Sequence, residues 1–241
     1  MGVDNVAAAV ESGFDYVEVA ACDLASSPNV APYKHSAVET TNLFFPHGTH
    51  LFGNEPFEWR PYASVLLAKA AEVGIQLMVV GSGYARSAPE GSYVPDCELR
   101  FIEIIAEIQE LADPYGIKIA PESLRKSETN VWNDPSALAQ ALAEMGIGYT
   151  FDTYHALEEW TLKLTQVTVD QLLGVKPSHV HLASRSRLEP RIDDGEVLMC
   201  LRSLAKLKYD GRCSLEVSHM DRGEWPQVTA RLRQLLSDSG L

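Results

Sequence analysis

One rhythm constrains this chain more than any other feature: a short apolar strand followed by a helix, repeated seven times at a spacing of about thirty residues. Strands are read at Asp15–Ala20, Ala37–Phe45, Ile75–Val80 and Ile117–Glu122, then in the stretch running into Asp152, at Ser178–Ala183 and at Gly211–Val217. Helices are read at Asp4–Ser12, Pro61–Val73, Cys97–Tyr115, from Asp134-Pro135 to Gly146, then at Leu157–Leu173, Val197–Leu207 and Trp225–Leu236. Several of the helices close on a glycine (Gly13, Gly74, Gly116, Gly146), as helices that end in a left-handed residue do. Ile75–Val80 is nearly unbroken apolar sequence, the pattern of a parallel strand covered on both faces. Strand and helix in strict alternation predict a (β/α)8-type TIM barrel. The chain opens on a helix, and Met1-Gly2-Val3 is too short for a strand before it, so the first barrel strand is expected to be lacking or truncated. A seam left open that way exposes unpaired strand edges, which calls for cover by the first helix, another segment or a partner chain. No low-complexity tract or long linker divides residues 1–241, which read as a single domain.

Charge narrows the partners. With 33 acidic against 20 basic residues the formal net charge is −13, so the chain lacks the positive excess that nucleic acid or an anionic membrane would attract. No apolar run reaches the length of a membrane span and no secretory signal opens the chain. Cys22, Cys97, Cys200 and Cys213 show neither C-x-x-C spacing nor a disulfide framework and read as reduced thiols of a cytoplasmic protein.

Polar groups recur where strands end, the edge of a parallel barrel on which chemistry is built. Four ends in the second half supply Glu122, Asp152, His181 and Glu216. Three carboxylates and one imidazole make an oxygen-rich set suited to Mn²⁺ or Mg²⁺, with Co²⁺ or Zn²⁺ as alternatives. Asp152 has a second reading, as the cap of the next helix. On Ser178–Ala183, His181 is taken to face the interior and His179 the helical layer. Gly81-Ser82-Gly83 reads either as a phosphate cradle or as a turn passing close to a neighbour, and Arg86 either as an anion contact or as a brace. His35, His47 and His50 are read as loop residues or as a lid.

The segments GFDYVEV, VVGSGYAR, IAPESLRKSETN, FDTYH, HVHLASRSRLEP and SLEV together resemble the xylose isomerase-like TIM barrels, in the sugar phosphate isomerase/epimerase and ketose 3-epimerase branch, from about Ala7 to the C-terminus. The resemblance implies that Glu122, Asp152, His181 and Glu216 bind one divalent metal, most simply Mn²⁺. It also implies that His155, Arg187 and Glu128 contact substrate, and that Glu18 lies near the pocket or pairs with an arginine. By the same analogy a 2-ketose is bound through its C2 and C3 oxygens, and Glu122 and Glu216 exchange the C3 proton through an enediolate. The expected protein is a metal-dependent isomerase or epimerase of a sugar or sugar phosphate, forming a homo-oligomer (dimer or tetramer). Dehydratases, lyases and hydroxypyruvate-type isomerases remain open on the same scaffold, as does a non-catalytic metal-binding barrel or accessory subunit. The three-zinc DNA-repair endonuclease branch is disfavoured, since Asn42 and Gly81 stand at the earlier strand ends and no histidine follows Asp193-Asp194.

Overall fold

The computed structural model describes residues 2–160 and 163–241. Its strands are β1 (Val17–Ala20), β2 (Val38–Asn42), β3 (Leu77–Val80), β4 (Lys118–Pro121), β5 (Thr150–Asp152), β6 (His179–Leu182) and β7 (Cys213–Leu215). All pair in parallel and in chain order, β1 to β4 in one sheet and β5 to β7 in a second. A single bridge from Glu122 to Thr150 joins the sheets, making one continuous wall. The helices are α1 (Val6–Glu11), α2 (Ala21–Ser26), α3 (Trp59–Val73), α4 (Gly83–Arg86), α5 (Val94–Ala112), α6 (Pro135–Glu144), α7 (Thr153–Glu159), α8 (Gln166–Leu172), α9 (Gly195–Lys206) and α10 (Trp225–Ser239).

Alternation along the strands divides the apolar residues into two sets. Met78, Val80, Ile119, Phe151 and Val180 belong to the large outer core with Leu66, Phe101 and Ile105 of the helices. Leu77, Val79 and Ala120 form a separate small cluster on the opposite face, which fills the barrel interior. β3 is buried at all four positions, as its apolar run requires.

Besides the short helices α2 and α4, which have no counterpart in the sequence reading, two elements depart from it. The second strand ends at Asn42 and not at Phe45, because Leu43 takes a left-handed conformation (φ 49°) and turns the chain. Phe44 and Phe45 are then fully buried in the loop, packed edge-on at 5.0 Å, so their hydrophobicity reported burial and not strand. The expected helix Leu157–Leu173 is two helices, α7 and α8, and residues 161–162 within that stretch lie outside the described residues.

The expected seam lies between β7 and β1. Among the described residues no backbone hydrogen bond joins these strands. A cavity of about 560 Å³ runs along the gap, lined by Tyr16, Glu18, Ser214 and Glu216 among others. Side chains span it instead. Tyr16 Oη lies 2.7 Å from Ser214 Oγ, and Ser214 Oγ donates to Glu18 at 2.8 Å. Arg212 stacks over the Tyr16 ring at 5.0 Å while its guanidinium pairs with Glu39 of β2. Outside the barrel, Thr229 of α10 donates to the Ser12 carbonyl and Trp225 packs edge-on against Phe14. The closure is thus made by side chains and by the last helix, with the first helix as its support.

Side-chain bonds hold a seam less cooperatively than a backbone ladder, so β7 should open locally at lower free energy than the strands buried in the wall. Hydrogen–deuterium exchange is expected to show the amides of Cys213–Leu215 exchanging well before those of Leu77–Val80. Equal protection of the two strands would mean the seam is as tight as the rest of the barrel.

Candidate metal centre

Parallel pairing sets residues of neighbouring strands side by side on one face. The register Asp152↔His181 therefore places a carboxylate and an imidazole together at the ends of β5 and β6. Glu122 follows β4 directly and bridges to Thr150, and Glu216 follows β7 with its N–H donating to Leu182. The four side chains meet, each offering an atom within 4.8 Å of the others. His181 Nδ1 stands 2.8 Å from Glu216 Oε2, 3.0 Å from Glu122 Oε1 and 3.7 Å from Asp152 Oδ2.

Both readings of Asp152 hold at once. Its Oδ1 accepts the His155 N–H at 2.9 Å, capping α7, while Oδ2 turns towards His181. The glycine loop after β3 is shaped by the same centre. A Cβ on Gly81 would stand 2.7 Å from Glu122 Oε2, and one on Gly83 would stand 2.7 Å from the Glu128 carbonyl oxygen. These glycines leave room for the glutamates, which favours the close-approach reading of the loop. Arg86 is buried with its guanidinium 5.0 Å over the Phe101 ring, and its Nε, Nη1 and Nη2 meet no hydrogen-bond partner among the described residues.

His179 corrects the sequence reading. Residues two apart on a strand share a face, so His179 points inward with His181, their rings edge-on at 5.1 Å. Both imidazoles reach Glu18, His179 Nε2 at 3.0 Å from Oε2 and His181 Nε2 at 3.0 Å from Oε1. Glu18 accordingly pairs with both histidines.

Beside the four residues opens a cavity of about 290 Å³, lined by Glu122, Glu216, Glu128, His155 and Arg187. His155 Nδ1 accepts the Arg125 backbone N–H at 3.4 Å, which assigns the ring proton to Nε2 as a donor for the cavity. Burial holds this imidazole below its usual pKa, in the neutral form. Arg187, at a left-handed φ of 56°, reaches Glu216 at 3.3 Å and Glu128 at 3.5 Å. Arg125 and Arg187 both stack on Tyr154, at 4.9 and 5.1 Å, and Arg125 also binds Glu128 at 2.8 Å. Asn42, Leu43, Ser82 and Tyr84 line the cavity as well. Of these, Tyr84 had a legible signal, standing one residue past the Gly-Ser-Gly at a strand end, whereas Leu43 had none. The loop histidines differ: His47 stacks on Tyr84 at 4.6 Å, but His35 Nδ1 accepts the Ala37 N–H in a local turn, and the exposed His50 ring does not line the cavity.

The donor set fits a divalent cation. Like charges about 4 Å apart repel by about 4 kcal/mol at an effective dielectric constant of about 20, so three ionised carboxylates around a neutral ring are strongly disfavoured. Protons supply the compensation in the protein alone. Burial, then Glu122 and Glu216, push the Asp152 carboxyl well up. Burial works against the charged His181 ring, yet Glu18, Glu122 and Glu216 override it and raise its pKa well above the usual value. Burial also works to raise Glu216, but the His181 imidazolium prevails and holds that carboxyl down at about 2. Glu216 Oε2 is buried, and its close polar neighbour is His181 Nδ1 at 2.8 Å, the contact a cation would replace.

Comparison with known proteins identifies the family and the fold. A sequence profile of the xylose isomerase-like TIM barrel matches residues 6–238. The chain is 28% identical over 162 residues to the uncharacterized protein MJ1311 of Methanocaldococcus jannaschii, a match spanning 61% of this chain and about half (52%) of the relative. A D-psicose 3-epimerase crystallised with D-fructose superposes with a TM-score of 0.73 at 16% identity, over 95% of this chain and 89% of its own. The 3-keto-D-glucoside 4-epimerase YcjR from E. coli gives 0.72 at 19% identity, over 93% and 91%. The IOLI protein with a bound zinc atom gives 0.68 at 15% identity, over 97% and 91%. At these identities the likeness is one of fold. No helix among the described residues is long and apolar enough to cross a membrane.

Because Asp152 and His181 both hold protons above their ordinary range, a cation must displace them, and its apparent affinity should rise with pH. Titration calorimetry in buffers of different ionisation enthalpy is expected to show proton release on Mn²⁺ binding, growing as pH falls. Affinity independent of pH would contradict this charge balance.

Proposed function

This chain belongs to the xylose isomerase-like TIM barrel family, and on that footing we propose that it is a divalent-cation-dependent isomerase or epimerase of small sugars. The observation that carries the reading is the meeting of Glu122, Asp152, His181 and Glu216 beside a cavity that His155, Glu128 and Arg187 also line. About 290 Å³ is at the small end of ligand sites, the scale of a monosaccharide. The sugar epimerases of like fold support that substrate class. Within it, 3-epimerisation of a 2-ketose is the reaction we favour.

When bound, the cation supplies Lewis-acid polarisation of the substrate carbonyl and its neighbouring hydroxyl. Glu122, Asp152, His181 and Glu216 would hold it. The protein's own groups do the rest. His155, neutral with Nε2 protonated, donates to a sugar oxygen as negative charge develops there. Arg187, tied to both Glu216 and Glu128, orients the sugar and keeps the Glu216 carboxylate turned into the cavity. Glu216, ionised at neutral pH, removes the proton from C3 and is left protonated. Glu122, entering the cycle as the carboxylic acid, gives its proton to the opposite face of the enediolate and is left ionised. Proton exchange with water resets the pair. Removal of a proton from C1 and its return to C2, through the C1–C2 enediolate, gives aldose–ketose isomerisation instead. Glu128 is placed to fix a further hydroxyl.

Incubation of the Mn²⁺-loaded protein in D₂O with a panel of ketoses and ketose phosphates is expected to put deuterium on the carbon adjacent to the carbonyl. Parallel loading with Mg²⁺, Co²⁺ and Zn²⁺ ranks the cations. Glu216→Gln should lower incorporation by about 10²-fold or more, the scale of a lost general base. Full cation binding with no exchange on any sugar would favour a binding barrel, and an active Glu216→Gln would remove Glu216 from the proton transfer.

A further inference from the structure

The inward-facing Glu18 stands outside the four-residue centre, across the open seam from it, and is as closely bound as any side chain of the interior. Oε2 accepts from Ser214 Oγ at 2.8 Å and Thr40 Oγ1 at 3.2 Å, and lies 3.0 Å from His179 Nε2. Ser214 Oγ is in turn 2.7 Å from Tyr16 Oη and 3.0 Å from His179 Nε2. These partners fix the plane of the carboxylate. They leave Oε1 directed at His181 Nε2, 3.0 Å away.

We propose that Glu18 is a positioning residue of the cation centre, holding the His181 ring with its proton on Nε2 so that the Nδ1 lone pair faces Glu122, Asp152 and Glu216. The proposal rests on the cation-binding reading above. An imidazole ligand has two nitrogens, and the hydrogen bond made by one decides which is free to bind. A carboxylate on the far nitrogen also makes the binding nitrogen more basic. Here the far nitrogen meets Glu18, and the near one lies within 3.0 Å of two carboxylates, which it faces through an N–H while the ring is protonated and through its lone pair once a cation has displaced that proton. Glu18 belongs to β1 and His181 to β6, so the same bond crosses the barrel where the backbone ladder is interrupted.

Glu18, His179 and His181 also lie close enough to one another to hold an ion of their own. The hydroxyls of Ser214 and Thr40 on Oε2, and the contact between Ser214 and His179, make this a hydrogen-bonded network instead. Counting the ions bound distinguishes the two.

Mn²⁺ titration of the full chain by calorimetry is expected to give one ion in the wild type and a loss of about 10- to 100-fold in affinity in Glu18→Gln. The readout that a merely structural role would not move is the His181 Nε2–H proton in the Mg²⁺-loaded, ¹⁵N-labelled protein. It is expected far downfield in the wild type and shifted upfield in Glu18→Gln. Should Glu18→Gln not fold, Glu18→Asp, which keeps the charge but withdraws it by one methylene, is read the same way. Unchanged affinity and an unmoved proton in the folded variant, or two ions per wild-type chain, would overturn the role of Glu18 alone. A wild type that binds no Mn²⁺ would overturn the centre itself and this proposal with it.

Discussion

A single imidazole carries the geometry of the site. His181 is 1% exposed and presents one nitrogen to three carboxylates and the other to a fourth. Glu122, Asp152 and Glu216 arrive at the ends of three different strands and repel one another, and Glu18 approaches from across the seam. Only a group with two opposed nitrogens on a rigid ring can face both sets at once. Its position is fixed less by its own contacts than by register, since Asp152 and His181 are direct partners in the β5–β6 ladder and a shift of one residue would turn both away.

That dependence explains how a barrel with an interrupted ladder can keep an ordered mouth. The register of β5, β6 and β7 is set on the side away from the seam, through the bridge at Glu122 and the continuous ladder beyond it. The seam then has only to bring β1 close enough for Glu18 to reach the histidines. Tyr16, Ser214 and Arg212 do so with side chains, and α10 fastens the loop before β1 through Thr229 and Trp225. The loss of backbone pairing falls where short, half-buried β7 already contributes least to the core.

The strand–helix alternation and the four strand-end residues were legible because each rests on a local pattern: hydrophobic period, closing glycine, polar residue at the strand's end. What the sequence concealed depended on contacts between distant segments. Leu43-Phe44-Phe45 looked like strand because apolar residues are needed both in strands and in buried loops, and only the turn at Leu43 separates the cases. Gly81 and Gly83 read equally as a phosphate cradle or a close-approach turn because the carboxylate and carbonyl they make room for lie some forty residues later. His179 was the one error of local reasoning. A strand period of two sets His179 and His181 on the same face, and with both inside, Glu18 becomes a partner of the pair.

The two kinds of carboxylate in the centre are not equivalent, and the difference bears on which of them can move a proton. Asp152 is nearly sealed, spends one oxygen on the N-terminus of α7 and is pushed towards its neutral form. Glu216 is 26% exposed at the side chain, borders the cavity and is held ionised by the same histidine. An acid that caps a helix cannot reorient without releasing the helix, whereas a glutamate on a longer stem at the cavity wall can turn one oxygen to a substrate and keep the other on an ion. The division of labour proposed for the site, with Asp152 holding and the glutamates exchanging protons, follows from where each backbone strand ends and from what else each carboxylate must satisfy.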